Sequence, residues 1–184
     1  YRELGDFEKA IAQCRTAFSI DPTNYSEAEH LVSAMLGETT KAAPRKYVEE
    51  LFDAFAESFD YALVNKLEYN TAKIAEILKL NIPDNDITKI LDMGCGTGLL
   101  APYLKTYCDH LIGIDVSQKM LKKAEVGNHY KNLIHADILD YIRKTKDKFD
   151  LFIAADVLVY IGDLDLLFKL IKQSNSSGGW LAFS

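Results

Sequence analysis

From Ile87 onward the chain alternates between two hydrophobic patterns. Short runs that are apolar along their length predict strands at 87–93, 110–115, 132–136, 149–155 and 179–184. Between them, apolar residues recur at helical spacing and predict helices at about 98–107, 117–127, 138–145 and 163–174. Strands without a polar face, separated by amphipathic helices, imply a parallel sheet covered on both sides. Crossovers in such sheets are right-handed. Ligands bind beyond the carboxyl ends of the strands, where the strand order reverses.

Upstream of Ile87 the pattern is helical throughout. Val48, Leu51, Phe52, Phe55, Phe59 and Leu63 fall on one side of an amphipathic helix, or of two joined helices, over Tyr47 to Leu63. A second helical pattern runs through Leu67, Thr71, Ile74, Ala75 and Leu78. Ser26 and Glu29 fit a capping box for a helix reaching about Leu36. Near the start, Ala10, Ile11, Cys14, Ala17 and Phe18 share a helical face, and Pro22 stops that helix. The polar stretch from Gly37 to Pro44 reads as a linker. The expected organisation is a helical extension at 1–36, a linker at 37–45 and a domain at 46–184, with leading helices at 46–80 and an α/β core at 87–184.

Composition narrows the class. The 184 residues suffice for one α/β domain and a short appendage, and 48% of them are hydrophobic, enough for a real core. The net charge of -6, with no lysine or arginine block, argues against a nucleic-acid groove. Cys14, Cys95 and Cys108 stand at unrelated spacings with no C-x-x-C, as expected of reduced cytosolic thiols without a metal role. His30, His110, His129 and His135 show no ligand spacing either. No signal peptide and no apolar run of about eighteen residues is present, so a soluble chain is expected.

The chemistry concentrates in Ile90-Leu91-Asp92-Met93-Gly94-Cys95-Gly96-Thr97-Gly98-Leu99-Leu100, a strand, a tight turn and a helix start. Glycine is needed where the backbone takes positive φ or a ligand comes within contact distance. The turn is expected to present unpaired N–H groups at the mouth of the sheet. Asp115 ends the second predicted strand. It lies about twenty residues beyond the glycines, the offset at which an acid meets ribose hydroxyls in nucleotide-binding βαβ units. A dinucleotide fingerprint reads G-x-G-x-x-G. Here the third glycine, Gly98, comes one residue early and Leu99 holds the dinucleotide position, which disfavours a nicotinamide-binding oxidoreductase.

The pattern D-x-G-x-G-x-G of Asp92 to Gly98, followed by a strand-end acid, resembles the class I S-adenosylmethionine-dependent methyltransferases. The resemblance runs from about Tyr47 to Ser184 and implies an α/β, Rossmann-like doubly wound sheet. It implies that the backbone of Gly94, Gly96 and Gly98 meets the amino-acid tail of S-adenosylmethionine. Asp92 then favours the tail's ammonium or, alternatively, braces the turn. Asp115 accepts both ribose hydroxyls. Ser117 caps the next helix. Met120 packs on the adenine or merely joins helix to sheet. Asp137 accepts from the adenine amine, with the Ile138 backbone near the ring, or caps the following helix. Ala154 and Ala155 let the chain approach the sulfonium. Asp156 and Tyr160 stand beside the transfer path, to bind or deprotonate the acceptor, or else serve loop capping and packing.

The segment Phe52 to Asp60 resembles the family's pre-domain lid, although its aromatics also suit plain core. Tyr1, Leu4, Gly5, Phe7, Ala10, Ala17 and Pro22 resemble the second half of a tetratricopeptide repeat, as in the methyltransferases that carry such repeats; a lone amphipathic hairpin is the alternative. One half-repeat cannot bury its own face, so an excerpt of a longer chain is expected. The family's final antiparallel pair of strands is expected to be missing after Ser184. Together these features imply a cytoplasmic methyltransferase acting by in-line displacement on a small-molecule or carrier-bound acceptor, with neither metal nor catalytic triad. The extension would recruit a protein partner. The rival is a non-catalytic interaction module of repeat and Rossmann-like scaffold.

Overall fold

The computed structural model describes residues 6–20, 25–38, 43–66, 70–82, 87–108, 110–162 and 164–184. Tyr1, Leu4, Gly5, Pro22 and Leu67 lie outside them.

Five strands form one parallel sheet: β1 (Lys89–Met93), β2 (His110–Asp115), β3 (Asn132–His135), β4 (Phe149–Ala154) and β5 (Asn175–Phe183). Their order is β3-β2-β1-β4-β5, so the chain reverses direction across the sheet between β1 and β4. Alternate residues of each strand serve opposite faces. Leu91, Met93, Ile112, Ile114 and Phe152 face one layer, closed by Ile138 and Ile142 of α8 (Ile138–Lys144) and by Leu167, Leu170 and Ile171 of α9 (Asp165–Ser174). Ile90, Leu111, Leu151 and Ile153 face the other, closed by Leu78 of α5 (Thr71–Asn81) and by Ala101 and Leu104 of α6 (Ala101–Leu104). This two-sided burial explains why the strands carry so few polar residues. Truncating a core side chain such as Leu91 to Ala would cost about 2–5 kcal/mol. The doubly wound, Rossmann-like sheet implied by the sequence is therefore present.

α7 (Gln118–Val126) packs on β2 and β3 and against α3 (Arg45–Phe55). α3 ends in a turn at 56–58, followed by α4 (Phe59–Tyr61) and a wider π turn at Ala62–Lys66. Ahead of these, α1 (Phe7–Ile20) and α2 (Tyr25–Leu36) pack on each other. The linker's end is tied down, because the Ala43 N–H donates to the Tyr160 carbonyl at 3.2 Å. Among the described residues, no helix is long and apolar enough to cross a membrane.

Three of the boundaries that differ from the sequence reading change a local feature. α2 begins at Tyr25, so Ser26 stands inside the helix and not at its cap. The helix expected at 98–107 shrinks to Ala101–Leu104. Three-residue bonds (Tyr103 N–H to Leu100 carbonyl, Tyr107 N–H to Leu104 carbonyl) tighten its ends, and the Thr106 hydroxyl takes the Tyr103 carbonyl at 2.6 Å. β5 starts at Asn175, four residues early, since Asn175 pairs with Phe149 while Trp180 pairs with Leu151. The intervening residues bulge out, and the Asn175 side-chain amide spans the bulge to the Gly179 carbonyl at 3.1 Å.

Candidate active site

The glycine turn folds back over the end of β2. Gly94, Gly96 and Gly98 have φ of +68°, +54° and +83°. That curl aims their N–H groups inward. Gly94 and Cys95 both donate to the Ile114 carbonyl, at 2.8 and 3.0 Å. Gly96 donates to Asp115 Oδ2 at 2.9 Å, and Gly98 to the Cys95 carbonyl at 2.9 Å. The expectation that these N–H groups stand unpaired is thus corrected: the turn spends them on its own stitching. What its glycines provide is room. A Cβ on Gly94 would stand 2.5 Å from Val157 Cγ2.

Three carboxylates gather at the strand ends. Asp115 Oδ1 accepts from the Ser117 N–H at 2.8 Å, so each of its oxygens holds one backbone bond. A carboxylate oxygen has a second lone pair, which leaves Asp115 able to accept from a diol. Its burial pushes the pKa up, opposed by those backbone bonds. Asp92, near the end of β1, is 3% exposed and accepts from the Tyr130 hydroxyl at 2.7 Å. Burial pushes its pKa up to about 7; the Tyr130 bond pulls downward and the charge of Asp115 adds upward. Asp137 caps α8, Oδ1 accepting from the Asp140 N–H at 3.0 Å, and with Ile138 it also lines the cleft. The thiol of Cys95 is buried beside these acids and pushed up, which makes it a poor nucleophile.

Not every residue singled out from the sequence reaches the cleft. Met120 is 1% exposed and Ala154 0%; both are core, away from the cavity wall. Ala155 lines the cavity where Ala154 does not, because Ala154 faces the α8–α9 layer. Asp156 and Tyr160 both line it. Asp156 has φ of +53°, with its N–H on Ser184 Oγ at 2.9 Å and its Oδ1 receiving the Ser184 hydroxyl at 3.0 Å. Burial raises the pKa of Tyr160.

Tyr130 and Asp53, which bond residues of the site, are given no role in the sequence reading. Tyr130, in the loop before β3, slides its ring beneath Gly98 and Gly113; added Cβ atoms would meet it at 3.1 and 2.8 Å. The sole signal was a glycine inside β2, which marks a close approach without naming the partner. Asp53 of α3 accepts from the Ser117 hydroxyl at 2.5 Å and the Lys119 N–H at 3.2 Å. Ser117 Oγ in turn accepts from the Met120 N–H at 3.1 Å, so it caps α7 as expected while holding α3.

The leading helices roof the glycine turn. Asp60 accepts from the Thr97 hydroxyl at 2.5 Å, and Glu57 pairs with Lys123 at 3.2 Å. Phe52 meets Tyr160 edge-on at 5.2 Å and Phe59 at 6.1 Å between ring centres. Beneath this roof lies a cavity of about 630 Å³, reaching from Asp92, Asp115 and Asp137 to Arg45 and Tyr160. That volume suits a cofactor-sized ligand. Chemically, the wall combines acceptors for a diol, an amine and a cation with a broad apolar surface.

A family model described as a methyltransferase domain matches residues 91–183. An uncharacterized protein of Haemophilus influenzae is 31% identical over 137 residues, covering 67% of this chain and 54% of its own. A crystal structure of an S-adenosylmethionine-dependent methyltransferase from Clostridium acetobutylicum aligns with a TM-score of 0.59 at 28% identity, covering 72% of this chain and 56% of that one. The N-methyltransferase NodS from Bradyrhizobium japonicum, in complex with S-adenosyl-L-homocysteine, aligns with a TM-score of 0.55 at 25% identity, covering 70% of this chain and 71% of that one. The chain spans 30% to 54% of the length of the first curated relatives it matches. The family match covers half the chain and begins on the strand that carries the glycine turn, and it decides the assignment: the chain belongs to the methyltransferase-domain family, with the class I fold.

Proposed function

We propose that this chain binds S-adenosylmethionine in the roofed cleft and directs its methyl group to a small-molecule or carrier-bound acceptor. The observation that carries this reading is the convergence of Asp115 and the glycine turn on one open cavity. The S-adenosylhomocysteine held by the NodS relative supports the choice of cofactor. When bound, the cofactor supplies an electrophilic methyl on a sulfonium.

The protein's own work is binding, alignment and exclusion of water. Asp115 would take the ribose hydroxyls on its remaining lone pairs. Asp92 would face the tail's ammonium, with Tyr130 holding the carboxylate in place. Gly94, Gly96 and Gly98 would contribute a floor free of side chains. Asp137 would meet the adenine amine with its second oxygen while its first caps α8. Ala155, at the cleft wall, would meet the sulfonium end, while Met120 stays buried in the core. Phe52 and Phe59 would shut out water. Asp156 and Tyr160 would bind or deprotonate the acceptor.

A second reading covers the N-terminal hairpin. The packing of α1 on α2 supports a tetratricopeptide-like unit that would recruit a protein partner, ahead of a domain that works in the cytoplasm. Cysteines in the thiol form suit that compartment. If the whole chain were a non-catalytic interaction module, the cleft would bind no cofactor. Thermal unfolding separates the cases: a rise in Tm with S-adenosylhomocysteine and none with NAD supports the enzyme, and no response to either supports the scaffold.

A further inference from the structure

The charges lining the cleft are unbalanced in their partners. Asp92, Asp115, Asp137 and Asp156 each hold a donor from the protein. Arg45 is the one cation among the described lining residues. It opens α3, is exposed, and among the described residues makes no hydrogen bond or ion pair. An arginine that lines the same cavity as four carboxylates yet pairs with none leaves its planar fork free for a ligand. Around it the wall is apolar: Val48, Phe52, Val157 and Ile161 line the same cavity. A ligand matching this wall has an apolar body and an anionic group placed to reach the guanidinium.

We infer that Arg45 is a specificity-determining residue, and that the methyl acceptor is an apolar molecule bearing a carboxylate or phosphate which Arg45 anchors. The inference rests on the methyltransferase reading of the cleft. The anion is the handle and not the reacting atom. Arg45 follows by two residues Ala43, whose N–H donates to the Tyr160 carbonyl, so it stands on the side of the cavity where Tyr160 is assigned to the acceptor.

The test uses the chain loaded with S-adenosylhomocysteine and three probes: 4-phenylbutyrate, phenyl phosphate and the neutral 4-phenylbutanamide. Calorimetry measures each on wild type, Arg45→Gln and Arg45→Lys. The expected preference for an anionic probe over the amide is about fivefold, the upper range for a partly exposed ion pair. It should vanish in Arg45→Gln, return in part in Arg45→Lys, and shrink with added salt. Which anion is preferred tells carboxylate from phosphate. Equal binding of all three probes, no binding of any, or a preference that survives Arg45→Gln overturns the inference. If instead wild type fails to bind S-adenosylhomocysteine, the parent reading falls and this one with it; unchanged S-adenosylhomocysteine affinity in Arg45→Gln keeps the two failures apart.

Discussion

The Tyr130 hydroxyl reaches Asp92 at 2.7 Å from a ring lodged under Gly98 and Gly113. One side chain therefore supports the glycine turn from below and supplies the donor for its most deeply buried acid. Removing the hydroxyl alone, in Tyr130→Phe, keeps the ring and strands Asp92 without that donor. A loss of about 1–3 kcal/mol in urea unfolding is expected, the usual cost of leaving a buried polar group unpaired. A loss below a few tenths would mean that the hydrogen bond is not formed in solution.

Asp92 makes stability depend on pH. Its folded pKa of about 7 lies above the ordinary carboxylate value of 3.8. The folded protein therefore holds the proton more tightly than the unfolded chain. That contribution is complete below about pH 4 and is lost as pH rises through 7. Between pH 5 and 8 the ligand-free protein should lose stability from this group, and Asp92→Asn should flatten the slope. Denaturant unfolding at several pH values measures both. A wild-type slope that Asp92→Asn leaves unchanged would contradict the assignment. Binding of a ligand that brings an ammonium to Asp92 should release a proton below pH 7, seen by calorimetry in buffers of different ionisation enthalpy.

Gly94 carries two separable constraints. Its φ is +68°, and a Cβ would strike Val157. Gly94→Ala should destabilise by about 1–3 kcal/mol, combining backbone strain with the clash. Adding Val157→Ala should recover the steric part and leave the backbone part. Full recovery in the double variant would show that φ is unimportant there.

Much of this architecture was legible because it is local. Ile90 to Met93, Leu111 to Ile114 and Leu151 to Ala154 are largely apolar on both faces, so their burial could be read from the chain directly. Ser117 announced its cap by the residues after it. What stayed hidden depends on chain crossing chain. Asp53 looked like one more polar residue on an amphipathic helix until α3 was seen against the start of α7. Tyr130 sits in a loop with no motif. The glycine N–H groups looked available because nothing local reveals that Ile114 and Asp115 lie across from them. The sequence alone places the start of β5 at Gly179, because nothing local shows that Asn175 pairs with Phe149 before the chain bulges.

The central claim is that Asp115 and the glycine turn form one adenosyl-binding cleft, and titration calorimetry with S-adenosylhomocysteine tests it most directly. Wild type should bind, and Asp115→Ala should weaken binding by at least about tenfold, corresponding to loss of roughly 1.4 kcal/mol or more of hydrogen bonding to a charged acceptor. An Asp115→Ala protein that stays folded and binds with wild-type affinity would contradict the account.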